Sequence, residues 1–351
     1  AHRIAECLKK SDTIARWGGD EFTLILPQVS SANDAINIAN RVIEILQDPF
    51  KCGEQEFHVT MSIGIALAPY DGEDAETLLK NADTAMYQAK ALGKDQYQIF
   101  EPSMYQTVCH RLQLETDLRK AIRHKEFALH YQPIIELETR TIVGAEALIR
   151  WHHPTQGLVS PEKFIPIAEE TGFILKLGRW ALREACYQLR NWQKQHIVNA
   201  SFCISVNVSA YQFAQPDFVK QIDEILAETH LDPQCLKLEI TETVIIQNFS
   251  SAADVICRLQ ERSIQLSIDD FGTGYSSLSY LHRFPTDAIK VDRSFVSRMG
   301  FEGEDIHIVK TIIMLGHNLG MYIVAEGVET ADQLAHLRSL QHLNCRVNFI
   351  Q

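Results

Sequence analysis

The chain of 351 residues is 46% hydrophobic and 22% charged, with a formal net charge of -12. These proportions exclude a disordered chain and allow one large domain and one smaller one, each with its own core. The acidic balance excludes binding to a nucleic-acid polymer through a basic face, although metal ions can reverse the local field around a phosphate ligand.

The first hundred residues alternate between helical and extended patterns. A short amphipathic helix is expected over 2–10, and a β-hairpin turns through Gly18, Gly19 and Asp20, with its second strand over 22–26. Residues 30–47 carry Ala35, Ile38, Ala39, Val42, Ile45 and Leu46 on one helical face, and Pro49 ends that helix. A strand over 57–67 and a helix over 74–92, closed by Gly93, complete the segment. The hairpin tip places Asp20 and Glu21 on a glycine turn, where phosphates can approach the backbone while a carboxylate holds a metal. Glu101-Pro102-Ser103 marks a boundary, and a helix over 105–123 leads out of the first domain.

The pattern then changes. Phe127, Leu129, Tyr131, Pro133 and Ile135 alternate along one strand, and residues 142–151 form another. Only a short turn through Glu138, Thr139 and Arg140 separates them, which permits antiparallel pairing alone, since a parallel connection needs about a dozen residues or more. Strands over 203–208, 236–241, 264–268, 288–291 and 322–325 then alternate with helices over 173–195, 217–229, 251–262 and 305–319. The expected fold is α/β, a (β/α)8-type barrel with an inverted first strand, preceded by a smaller α/β domain.

The strand over 264–268 ends in two adjacent carboxylates, Asp269 and Asp270, and the next strand sets Lys290 in an apolar run. Buried charges of this kind need partners, and a divalent metal with an anionic substrate would satisfy them together. A solvated Asp-Asp turn is the plain alternative for this stretch alone. On a barrel the reactive groups sit at the C-terminal ends of the strands, which gives Glu146, Asn207, Glu239, Glu242, Asp269, Asp270, Lys290 and Glu326. Oxygen donors without Cys or His suit Mg²⁺ or Mn²⁺ rather than zinc. Two metals about 4 Å apart can stabilise both the attacking and the leaving oxygen of an in-line displacement, so a phosphodiester is the fitting substrate.

Three motifs in the first hundred residues resemble the diguanylate cyclase domain called GGDEF: residues 16–22 (Arg-Trp-Gly-Gly-Asp-Glu-Phe), 62–66 (Ser-Ile-Gly-Ile-Ala) and 82–90. The likeness covers only the C-terminal part of that domain. Without the upstream half, Gly18, Gly19, Asp20, Glu21 and Lys90 are expected to form a degenerate cyclase site, with GTP as a candidate ligand. The family's inhibitory RxxD motif falls on Lys9-Lys10-Ser11-Asp12, and Lys lacks the bidentate fork of Arg. Cyclase activity is not expected.

The later motifs resemble the EAL family of cyclic di-GMP phosphodiesterases through most of residues 114–340. The resemblance implies that Glu146, Asn207, Glu239 and Asp269 hold one metal and that Asp269, Asp270 and Glu326 hold the second. It makes Lys290, Glu326, Asp270 and Glu242 catalytic. Lys290 would orient the attacking water or balance phosphate charge, and Glu242 would brace a loop over 271–278 that also serves dimer contacts and regulation. Gln132, Glu146, Leu148 and Arg150 become substrate contacts. The implied reaction is hydrolysis of cyclic di-GMP to linear pGpG with two Mg²⁺ or Mn²⁺ ions, and a homodimer through this domain is a further expectation. The domain expectation is a partial GGDEF domain over 1–100, a linker helix over 101–113 and an EAL domain over 114–351.

The C-terminal end departs from the family. Where the family continues with a Gly-Gln-Gly-Tyr type segment and an eighth strand, this chain reads His-Leu-Asn-Cys-Arg-Val-Asn-Phe-Ile-Gln over 342–351. Residues 346–350 are left as a makeshift last strand, and a weakly closed barrel edge is expected. The alternative function is a receptor that binds cyclic di-GMP without cutting it. Eight scattered cysteines without a CxxC pair point to free thiols in the cytoplasm. No apolar run of about 18 residues marks a membrane segment, and no leader peptide is evident. A fragment of a longer protein, one with room for a membrane anchor outside these residues, is the expectation for a chain that lacks an initiator Met.

Overall fold

The computed structural model describes residues 1–53, 55–247, 249–272, 286–299, 305–340 and 345–349. The chain divides into two compact units, Ala1–Leu114 and Glu115–Gln351.

In the first unit, α1 (His2–Glu6) is followed by the antiparallel pair β1 (Thr13–Gly18) and β2 (Glu21–Ile25). Gly18 pairs with Glu21, so Gly19 and Asp20 make the turn, and Gly19 takes the left-handed φ of +53° that glycine adopts without steric cost. Helix α2 (Ala32–Leu46) starts where the Asp34 carboxylate accepts hydrogen bonds from the backbone N–H groups of Ser30 and Ser31. Its buried face, Val42 and Leu46, packs with Ile4 and Cys7. The strand expected over 57–67 is not continuous. β3 (Phe50–Cys52) and β4 (Gln55–Phe57) form a hairpin, and β5 (Ile63–Ile65) stands apart, parallel to β6 (Tyr97–Ile99). Helix α3 (Ala75–Ala91) lies directly on β5. A Cβ on Gly64 would collide with the backbone of Ala82 and Met86, so the close approach requires glycine there. Helix α4 (Pro102–Ala121) runs from this unit into the second.

The second unit is a closed ring of eight strands. It runs through β7 (Phe127–Glu136), β8 (Ile142–His153), β10 (Cys203–Asn207), β11 (Leu236–Thr241), β12 (Gln265–Phe271), β13 (Ala288–Val291), β14 (Tyr322–Val328) and β15 (Cys345–Phe349). The short β9 (Gly157–Val159) pairs with the far end of β8, outside the ring. β7 is antiparallel to both of its neighbours, β8 and β15, and the other pairings in the ring are parallel, which is the inverted first strand.

The expectation of a weak edge at the C-terminal end is corrected. β15 pairs with β14 on one side and β7 on the other, and Val347 is fully buried between them. A different sequence therefore still supplies the backbone hydrogen bonds that closure requires, because those bonds are independent of side-chain identity.

The outward strand residues Ile204, Leu238, Ile240, Leu266, Ile268, Ile289 and Ile323 are buried under a ring of helices. These are α5 (Pro161–Glu170), α6 (Ile174–Lys194), α7 (Ala210–Phe213), α8 (Phe218–Thr229), α9 (Glu242–Gln247), α10 (Phe249–Gln260), α11 (Arg293–Val296), α12 (Asp305–Asn318) and α13 (Ala331–Ser339). In α6 the buried residues Leu177, Ala181, Ala185 and Leu189 recur every four positions, the stripe of a helix lying on a sheet. Burying each large side chain contributes roughly 1.5–3 kcal/mol. The C-terminal part of α4 is tied to β8: a ring nitrogen of His153 lies 3.2 Å from the Asp117 carboxylate. Among the described residues, no helix is long and apolar enough to cross a membrane.

Candidate active site

Because outward residues fill the core, alternate residues of the same strands point into the barrel. That parity sends Glu146, Asn207, Glu239, Asp269, Lys290 and Glu326 to one end of the interior. Lys290, 1% exposed, stands at the centre. Its Nζ lies 3.1 Å from Glu146 Oε2, 2.6 Å from Glu239 Oε2, 3.1 Å from Asp269 Oδ1 and 2.6 Å from Glu326 Oε1. Asn207 Nδ2 donates to the other oxygen of Glu146 at 2.8 Å. Oxygens of Asp269, Asp270 and Glu326 lie within 4.8 Å of one another. Asp270 has φ +52°, beside an irregularity in the β12–β13 register between Ile268 and Phe271. That twist turns two consecutive carboxylates toward one place instead of to opposite faces of the strand.

One ammonium faces four carboxylates here, and Asp270 adds another, so negative charge is in excess. Burial pulls Lys290 down, but the carboxylates together hold it well above the usual lysine range. Burial and then Glu146 drive Glu239 well above the usual carboxylate range, against the pull of Lys290. Burial pushes Glu326 up to about 7, also against Lys290. Asp270 is raised by burial and by Asp269. A cluster in which Glu239, Glu326 and Asp270 resist ionisation is one that a further cation would stabilise. The donors are all oxygen, and three carboxylates converge within a few ångströms. This set fits Mg²⁺ or Mn²⁺.

The EAL domain model matches residues 115–345. The chain belongs to the EAL domain family. The diguanylate cyclase GGDEF domain model matches residues 1–96, ahead of it. The chain is 41% identical over 340 residues to the bifunctional diguanylate cyclase/cyclic di-GMP phosphodiesterase MucR of Pseudomonas aeruginosa, covering 97% of this chain and 49% of that protein. It is 39% identical over 336 residues to the cyclic di-GMP phosphodiesterase PdeR of Escherichia coli, covering 95% of this chain and 50% of that protein. The chain thus spans about half the length of these curated relatives. Among solved structures, the PaMucR phosphodiesterase in complex with c-di-GMP matches with TM-score 0.65 at 40% identity, over 68% of this chain and 94% of that one.

Within this EAL domain, Gln132 pairs directly opposite Glu146, and Leu148 and Arg150 follow on the same face of β8. The Arg150 guanidinium donates to the Ile149 carbonyl at 2.9 Å. Glu242 is the first residue of α9, directly after β11. Of the loop expected over 271–278, only 271 and 272 fall within the described residues. In the GGDEF unit, Gly18, Gly19, Asp20 and Glu21 are exposed at the hairpin, where Arg16 Nε donates to the Gly19 carbonyl at 2.8 Å. Lys90 is exposed in the last turn of α3.

Sequence reasoning missed Ser205 and Ser267. Both hydroxyls are buried in the barrel interior without a hydrogen-bond partner among the described residues. Period-two counting back from Asn207 and Asp269 is the signal that finds them.

Proposed function

We propose that this EAL domain hydrolyses cyclic di-GMP to linear pGpG. The observation that carries the reading is the group of carboxylates from β8, β11, β12 and β14 gathered at one end of a closed barrel around Lys290. The activities named for MucR and PdeR support the choice of substrate. Water adds across one phosphodiester, the P–O bond to a ribose 3′ oxygen breaks, and the 5′ phosphate remains on the product.

In this reading Glu146, Asn207, Glu239 and Asp269 hold one Mg²⁺ or Mn²⁺, and Asp269, Asp270 and Glu326 hold the second. Bound there, such ions would supply the charge that makes water a nucleophile near neutral pH and polarises the phosphodiester. Lys290 holds the carboxylates in position and would offset phosphate charge on a bound substrate. Gln132, Leu148 and Arg150 contact the nucleotide, and Glu242 braces the loop over 271–278. The domain reading is a partial GGDEF domain over 1–100, a linker helix over 101–113 and the EAL domain over 114–351. The first unit is not assigned cyclase activity in this proposal. Free thiols at Cys7, Cys109, Cys186, Cys203, Cys235 and Cys257 support placing the reaction in the cytoplasm.

One observation favours a receptor that binds without cutting: the Lys290 ammonium already engages four carboxylates, so an arrangement without cations is self-consistent. Incubating the chain with cyclic di-GMP and Mg²⁺ or Mn²⁺, then resolving the products by chromatography, separates the two. Appearance of pGpG that chelator abolishes supports the hydrolase. Binding of cyclic di-GMP without product sinks it and leaves the receptor.

A further inference from the structure

The face of β7 and β8 that carries Gln132 and Glu146 continues beyond the carboxylates. His130 pairs opposite Leu148, and Ala128 opposite Arg150. Period two therefore puts His130, Leu148, Arg150 and His152 on the face of Glu146. The opposite face is identified by Leu129 and Tyr131, which pack on the core, and by Trp151, which is fully buried.

His130 and His152 are both exposed, and their ring centroids lie 6.0 Å apart. At about 3.3 Å of rise per residue, His130 stands roughly 7 Å along the strand from Gln132. The neighbouring acid at that end, Glu126, is committed elsewhere: its carboxylate accepts from Trp151 Nε1 at 2.9 Å.

A cyclic dinucleotide carries two phosphodiesters on opposite sides of one ring. When one lies on the carboxylates, the other must rest on a different part of the protein. In a chain of net charge -12, a second anionic group needs local donors. Building on the phosphodiesterase reading, we propose that His130 and His152 form a subsite for the distal half of the cyclic dinucleotide, with imidazole N–H groups donating to its second phosphodiester. The pair sits beside Arg150 on the substrate face and extends that face past the contacts expected for Leu148 and Arg150.

The test compares cyclic di-GMP with bis(p-nitrophenyl) phosphate, a small diester that has no distal half. For H130A, H152A and the double variant, the expected result is a rise in KM for cyclic di-GMP of about tenfold per histidine. The ratio of kcat/KM for cyclic di-GMP to that for the small diester should fall by a similar factor. H130Q, which keeps an N–H donor, should recover part of the loss. A ratio that does not move, including one where both substrates decline together, overturns the subsite. A wild-type chain that cleaves the small diester but neither binds nor cleaves cyclic di-GMP overturns the functional reading, and the subsite with it.

Discussion

Lys290 donates to Glu239 at 2.6 Å, and both side chains are closed off from solvent. A buried ion pair of this kind is stable only while both partners remain, because removing one leaves the other charged and desolvated. Lys290→Ala leaves four carboxylates without their shared cation, and the expected cost is about 3–5 kcal/mol of folding stability. Chemical denaturation of the chelated protein measures it. Mn²⁺ should restore more stability to this variant than to wild type. A variant as stable as wild type would mean that the acids are neutral in the metal-free fold.

Glu326, at about 7, has a pKa raised above its ordinary carboxylate value near 4.3. An acid raised on folding disfavours the metal-free native state above that folded value, and the penalty fades as pH falls through 7 toward 4. A cation needs the ionised form, so the stabilisation gained from Mn²⁺ should be larger at pH 8 than at pH 6. Binding at pH 6 should also release protons, read by calorimetry in buffers of different ionisation enthalpy. Equal heats in all buffers at pH 6 would refute this assignment.

Asp269 is shared between the four acids around Lys290 and the trio with Asp270 and Glu326. Loss of groups that merely orient metal ligands costs about 10–100-fold, so Asp269→Asn, at a ligand of the proposed metal site, should cost at least about 100-fold in turnover. Its thermal midpoint in chelator should change little, since the amide keeps the shape of the side chain. Unchanged turnover would remove Asp269 from the ligand set.

The last strand offers a separate test. Val347 is fully buried where β15 meets β14 and β7. Val347→Asp places an unpaired charge there and should cost more than about 3 kcal/mol. A chain ending at 340 should lose its fixed tertiary packing, seen as loss of the near-ultraviolet circular dichroism, because two strand edges are left unpaired. A truncated chain that keeps this signal would show that the barrel closes without β15.

Much of this protein was legible along the sequence because the governing signals are local. Alternation in 127–135 and the short connection before residue 142, five residues over 137–141, determined the antiparallel β7–β8 pair, since a chain that short cannot cross over to pair in parallel. Apolar strands alternating with helices determined the barrel class, and the acids were visible at or near the ends of those strands. Local signals failed where neighbours decide. The extended run over 57–67 divided because β4 turns back on β3 while α3 presses on Gly64. The last strand, expected from the sequence only as a makeshift one, closes the ring through backbone hydrogen bonds that carry no side-chain signature.

Only the tertiary structure decided that one lysine serves four acids. Glu146 is 144 positions from Lys290, and Glu239 is 51 positions away. Period two says which face of its own strand each side chain occupies, but the distances between them depend on how the strands stagger around a closed ring. That closure, more than any motif, converts carboxylates scattered along the chain into one desolvated cluster with a negative charge that a divalent cation can satisfy.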